Sequence, residues 1–238
     1  MVFSIYESMS VRNKSTEGGV MLFSGGASGA DAYWSKAFSD CGVPVVSFSF
    51  AGHQIDPLVS GICASLSNIV KLNPDQLDRY WSEVDGVCKL LRRCPLSFQK
   101  SQYVKNLLLR DAWQVSEAHS VYAVASLDPS VPSLGIKGGT AYACELFTRH
   151  CTGDGLLPVF LFDQQSIPMR WLQLTRNGTR LQWIASTPPV PDGPFAAIGA
   201  RDLTPAGKEA IAELAKRYAD SVTKNDVVVS TPLLERGT

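Results

Sequence analysis

Apolar residues along this chain come in short runs that end on glycine, separated by longer stretches with helical spacing. Val20–Phe23 is apolar and stops at Ser24-Gly25-Gly26, after which Gly29-Ala30-Asp31 opens a helical pattern that reaches Asp40 and halts at Cys41-Gly42. Val43–Phe50 is a β-branched and aromatic run ending at Ala51-Gly52-His53. Strand, helix and strand with short joints predict a unit of parallel sheet. From Asp56 to Arg93 the spacing is helical, with Pro57 opening one helix and Asn73 capping another over Pro74–Leu91. Ser97–Val115 predicts a further helix, Ser120–Ala125 a third strand and residues 126–134 a loop. Ile136–Thr140 is a second glycine turn, followed by a helix over Ala141–His150 and a fourth strand over Leu156–Phe162. Residues 165–186 alternate, with a turn at Asn177-Gly178, and predict an antiparallel hairpin. After the Pro-rich connection 187–194, Phe195–Ile198 is a strand. Thr204 then caps a helix from Pro205 to about Asp220, and 226–230 is a last strand.

Composition narrows the class. The chain has 238 residues, 45% hydrophobic and 18% charged, enough for one large or two small domains with a substantial core. We expect a lead-in over 1–19 and a single domain over 20–238, with a helical insertion at 56–115. Formal net charge is +0, from 22 basic and 22 acidic residues, and Arg92-Arg93 is the densest basic pair. Nothing there points to a nucleic-acid partner. No stretch approaches the ~20 apolar residues that cross a bilayer. The N-terminal stretch lacks a charged start followed by an apolar core, so a cytoplasmic location is expected. The six cysteines form no C-x-x-C pair and are expected to be reduced, buried thiols. His119 and His150 have no partners at ligand spacing, so no metal site is expected.

The strand–turn–helix at Ser24–Asp31 admits two readings. Glycines there remove the Cβ atoms that keep a ligand off the backbone, and the first amides of a helix are unpaired, so an anion fits. Equally, a strand-to-helix turn needs glycine for its geometry alone.

Three segments resemble a known superfamily. Ser24-Gly-Gly-Ala-Ser-Gly-Ala-Asp31 resembles the first glycine motif of the SLOG superfamily, which includes the LOG phosphoribohydrolases, the YpsA-like proteins and DprA. Gly138-Gly139-Thr-Ala-Tyr-Ala-Cys-Glu145 resembles the second LOG motif, P-G-G-x-G-T-x-x-E, with Lys137, Ala141 and Tyr142 in place of its proline, third glycine and threonine. Arg110 stands where the LOG catalytic arginine precedes the third strand. Phe195-Ala-Ala-Ile-Gly-Ala-Arg-Asp-Leu-Thr-Pro205 resembles the opening strand of YpsA- and DprA-type domains, displaced here to the C-terminal end. The resemblance implies a Rossmann-like α/β fold, circularly permuted, with the strand and helix at 195–220 moved from the front and a small hairpin insertion near 165–186. It also implies homodimers, which LOG-like relatives commonly form.

In such a fold, ligands sit at the carboxyl ends of the strands. The turns Ser24–Asp31, Ala51–His53, Lys137–Thr140 and Gly199–Asp202 would rim one cleft. A phosphate-bearing nucleotide would be held by backbone at Gly25, Gly26, Gly29, Gly138, Gly139 and Gly199, with hydroxyls of Ser24, Ser28 and Thr140, and by Arg201. Asp31 either holds a ribose hydroxyl or caps the helix. His53 is an acid or base candidate or a structural histidine, and Asp163 ends the fourth strand at the cleft. On the LOG pattern, Glu145 would stabilise charge growing at ribose C1′ and Arg110 would orient it; otherwise both are ordinary helix residues. Three functions follow: a nucleotide-binding sensor or carrier without turnover, of which the molybdenum-cofactor carriers are a variant; a phosphoribohydrolase; and, weakest given the balanced charge, a DprA-like DNA binder.

Overall fold

The computed structural model describes residues 19–66 and 68–229 of the chain. In order along the chain these form β1 (Leu22–Ser24), α1 (Ala30–Ser39), β2 (Val45–Phe50), α2 (Pro57–Leu66), β3 (Ile69–Leu72), α3 (Pro74–Asp78), α4 (Trp81–Leu90) and α5 (Gln102–Ser116). There follow β4 (Ser120–Ala125), α6 (Thr140–His150), β5 (Gly155–Asp163), β6 (Arg170–Asn177), β7 (Arg180–Ala185), β8 (Phe195–Gly199) and α7 (Pro205–Val229). The strands make one eight-stranded sheet in the order β3-β2-β1-β8-β4-β5-β6-β7. The first six run parallel, and β6 and β7 extend the sheet antiparallel beyond β5.

Helices cover both faces, so the central strands must be apolar on both sides. In β4, Val121, Ala123 and Ala125 enter one core while Tyr122 and Val124 enter the other, the period-two alternation of a pleated strand. The first core packs α3–α6 through Leu77, Val87, Leu109 and Phe147. The second packs α1, α2 and α7 through Trp34, Phe38, Val59 and Leu214. The last parallel strand in sequence, β8, lies in the middle of the sheet, and Phe195, Ala196 and Ala197 are fully buried there.

Four local expectations are corrected. Ile69–Leu72, inside the stretch expected to be helical, is a strand paired with β2, because an open sheet edge captures its β-branched residues. The helix expected over 74–91 is split. Asn73 caps it in a reciprocal capping box with Gln76, but the Gln76 carbonyl then accepts from Arg79 at 3.2 Å and from Trp113 Nε1 at 2.8 Å, and Tyr80 turns inward against Trp113. Residues 96–98 form a separate short turn before α5, which starts only at Gln102, after its cap Ser101. Finally, 226–229 continue α7 instead of forming a strand, since no strand of the sheet pairs with them. Ser230 and the expected lead-in 1–18 lie outside the described residues. Among those described, no helix is long and apolar enough to cross a membrane.

The sheet is not zipped evenly. β8 pairs with β4 over five residues, Ser120↔Phe195 to Val124↔Gly199, but with β1 over only Leu22↔Phe195 and Phe23↔Ala196. Beyond Phe23 the two strands part. The fully buried Gln114 of α5 fills the gap, its Nε2 donating to the carbonyls of Phe23 (3.2 Å) and Ala197 (3.0 Å). A side-chain amide thus replaces ladder hydrogen bonds between β1 and β8, next to the β8–β4 junction where the following helices α7 and α6 take opposite faces, the crevice where ligands bind in open α/β sheets. Gln114→Ala should lower stability by about 2–4 kcal/mol in urea denaturation, because two buried carbonyls lose their donor. Gln102→Ala at the exposed start of α5 should change it by no more than about 0.5 kcal/mol.

Candidate functional site

The carboxyl ends of β1, β8, β4 and β5 open into a cleft of about 790 Å³, within the usual range for small-molecule sites. Its walls come from the turn after β1, the N-terminus of α6, the turns after β5 and β8, and the inward face of α5.

The two glycine turns do different work. In the first, each glycine makes room for protein. A Cβ on Gly25 would overlap the Arg110 guanidinium and stand 2.6 Å from an Asp31 carboxylate oxygen. One on Gly26 would lie 2.6 Å from Ser47 Oγ. Gly29 has a φ of 98°, and its Cβ would run into the backbone of Arg201. Ala30 N, at the start of α1, donates to Ala200 O at 3.1 Å. A Cβ on Gly199 would come within 2.5 Å of both Ala30 Cβ and Val124 O. Ser24 is fully buried, accepting from Gly26 N at 3.1 Å and from Ser35 Oγ at 3.1 Å. Of this turn, Ala27, Ser28 and Asp31 reach the cleft, and the Ser28 hydroxyl donates to Asp56 at 2.7 Å.

The second turn is open. Gly138 has a φ of 76°, and neither Gly138 nor Gly139 has any atom within 4 Å of a would-be Cβ. Both are exposed, and both line the cleft with Thr140. Gly139 precedes α6 without any side-chain cap, which leaves the positive end of the helix toward the cavity. Arg93 donates to Gly138 O at 3.0 Å and lies 5.0 Å over the Tyr142 ring, so the aromatic face holds a cation beside the turn. Arg92, at the end of α4, has a φ of 52°, and this left-handed turn ends the helix ahead of Arg93. Lys137 stands on the other side of the turn, 3.7 Å from Asp128.

At the inner wall lies Arg110, 4% exposed, whose guanidinium donates to Gln114 at 3.0 Å and pairs with Asp111 at 3.3 Å. Burial pushes the carboxyls of Asp31 and Asp111 up to about 6, against the opposing pull of Arg110. Arg201 lines the cleft from the turn after β8 and makes no salt bridge among the described residues.

Several expected residues sit elsewhere. Glu145 is buried on α6 and accepts from Leu134 N at 3.2 Å, holding the loop before the second glycine turn; it is not among the residues lining the cleft. The same Leu134 is tied at its carbonyl by Trp183 Nε1 at 2.8 Å. Burial pushes Glu145 above the ordinary carboxylate range, and its partners are Ser133, Leu134 and Arg149, not Arg110. The expected pair is therefore not assembled. Asp163 accepts from Leu127 N at 3.3 Å and Gln165 N at 3.2 Å and shapes a turn; the neighbouring Gln164 reaches the cleft. His53 stacks on Phe50 at 4.9 Å and sits 3.3 Å from Ser49 Oγ, with burial, Arg110 and Arg201 lowering it to about 4. Arg93, Asp111 and Gln114 belong to the site and carry no local motif. Among the described residues, no group of three metal-ligating side chains comes together. No protein-family model matches the chain, and neither a curated protein nor a solved structure matches it.

Two predictions follow from this geometry. Gly25→Ala should cost at least about 2 kcal/mol in the native background and under about 1 kcal/mol in an Arg110→Ala background, in a double-mutant cycle by chemical denaturation. Asp31 releases its proton near 6 when folded against 3.8 when unfolded, so the folded chain binds more protons between those values. Its share of stability falls as pH rises through that window. Stability of Asp31→Asn relative to the native protein should therefore improve by on the order of 2–3 kcal/mol between pH 4 and pH 7. His53, lowered from 6.5 to about 4, shifts the native curve the opposite way over its own window.

Proposed function

We propose that this protein binds a phosphate-bearing small molecule, a nucleotide or nucleotide derivative, and senses or carries it without turnover. The observation that carries this reading is the open turn Gly138-Gly139-Thr140 at the uncapped start of α6, flanked by Arg93 and Lys137 and facing a cleft of about 790 Å³. Backbone amides at a helix start and two nearby cations are the chemistry that a phosphate recruits. The first glycine turn supports the cleft by letting Arg110 and the turn after β8 pack closely, and it contributes Ser28 to the rim.

The sequence motifs support a permuted SLOG-type domain. β8 lies between β1 and β4, where a displaced opening strand would pair. Phosphoribohydrolase chemistry by Glu145 with Arg110 draws no support from the arrangement, since Glu145 is committed to the loop at Leu134. DNA binding draws none from a formal net charge of +0.

Calorimetric titration with AMP, ribose 5-phosphate and inorganic phosphate tests the reading. All three should bind, without release of free base from AMP. Arg93→Ala and Lys137→Ala should each weaken them about 10-fold, and added salt should weaken them further. Absence of binding by all three at millimolar concentration overturns it.

A further inference from the structure

The six cysteines are not all buried, as the sequence led us to expect. Cys94 is exposed and lines the cleft, whereas Cys88 is fully buried near the end of α4. Between them the chain reverses. Arg92 N donates to Lys89 O at 3.0 Å, Arg93 N reaches back to Cys88 O at 2.8 Å, and Arg92 takes the left-handed φ of 52° that this closure requires. The residue before Cys94 is therefore held against the backbone of Cys88. The two thiols are close enough to interact electrostatically, and burial pushes Cys88 up, so that it stays protonated. The Tyr142 hydroxyl donates to the Cys88 sulfur. Cys94 donates to Pro95 O at 3.6 Å from an open position.

The same residues hold the phosphate turn. Arg93 donates to Gly138 O and lies over the Tyr142 ring, and Tyr142 in turn contacts Cys88. A disulfide needs its two Cα atoms within about 7 Å and its sulfurs turned toward each other. To form one, Cys94 leaves Pro95 O and Cys88 gives up the Tyr142 hydroxyl. Arg93, next to the new bond, is drawn off Gly138 O. Accessible thiols are the ones that peroxides oxidise first, and a second thiol nearby resolves the product.

We propose that Cys94 is an oxidation site and Cys88 its resolving partner, and that the disulfide between them shuts the phosphate turn at the start of α6. The oxidant is a peroxide. The Cys94 sulfur attacks one peroxide oxygen, the O–O bond breaks, and the other oxygen leaves as water with the Cys94 proton. Cys94 is then a sulfenic acid. The Cys88 sulfur displaces its hydroxyl, the S–S bond forms, and a second water leaves with the Cys88 proton. Two thiols are oxidised by two electrons and one peroxide is reduced to two waters. The oxidation stands on the cysteine pair alone, and its effect on the cleft rests on the phosphate-binding reading above.

The full chain is treated with a small excess of hydrogen peroxide, its remaining thiols are alkylated, and the disulfides are mapped by peptide mass spectrometry. Inorganic phosphate is titrated calorimetrically before and after. A bond between Cys88 and Cys94 within one chain is expected, with phosphate bound at least about 10-fold more weakly, as on losing the Arg93 contact, and restored by dithiothreitol. In Cys88→Ser, Cys94 should stop at the sulfenic acid and be trapped by dimedone. In Cys94→Ser, phosphate affinity should be the same before and after peroxide. Mapping of the native protein decides the chemistry even if Cys88→Ser does not fold. Absence of the bond overturns the proposal, as does a bond that leaves phosphate affinity within about 2-fold of the reduced protein. If the bond forms but the reduced protein binds no phosphate, the phosphate reading falls and the oxidation site stands.

Discussion

The parting of β1 from β8 is the constraint on which the rest of this structure depends. Where the two strands part, carbonyls are left that would be buried without donors. Gln114 meets two of them, at Phe23 and Ala197, and its own carbonyl accepts from Arg110. One side chain therefore ties the sheet to α5 and fixes the cation at the base of the cleft. The first glycine turn follows from the same requirement. Gly25 lacks a side chain because Arg110 occupies that space, and Gly29 and Gly199 lack theirs because α1, β4 and the turn after β8 converge there.

Burying Arg110 sets the electrostatics of the cleft. A guanidinium in so dry a place needs carboxylates, and Asp111 supplies one on the same helix while Asp31 comes from across the sheet. Two carboxylates beside one cation cannot both be fully compensated, and burial pushes both up to about 6. The α6 turn stands in contrast, exposed, with the uncapped helix start at Gly139 between Arg93, which donates to Gly138 O, and Lys137, which pairs with Asp128.

Much of the architecture was legible along the chain. Runs such as Val45–Phe50 and Ser120–Ala125, buried on both faces and closed by glycine or a turn, announce central parallel strands. Asn73 and Thr204 announce helix starts, and Asn177-Gly178 announces the hairpin. The strand at Ile69–Leu72 was not legible, because four residues beside a helix carry too little periodicity to overrule it; the free edge of β2 decided it. The break at Arg79–Tyr80 was equally hidden, since it depends on Trp113, distant in sequence.

The site divides along the same line. The sequence by itself determined that two glycine turns follow strands and precede helices, and that a late apolar strand at Phe195–Ile198 awaits a partner. It did not determine which glycines meet protein and which meet solvent, because that depends on what packs against a missing Cβ. Only the tertiary structure placed Arg110 over Gly25 while leaving Gly138 and Gly139 open. It also turned Glu145 away from the cleft to Leu134 and brought Arg93, Asp111 and Gln114 into it. The physical reason is that spacing along a helix orients a side chain only relative to its own axis, whereas the partner it finds is set by how the helices and sheet come together.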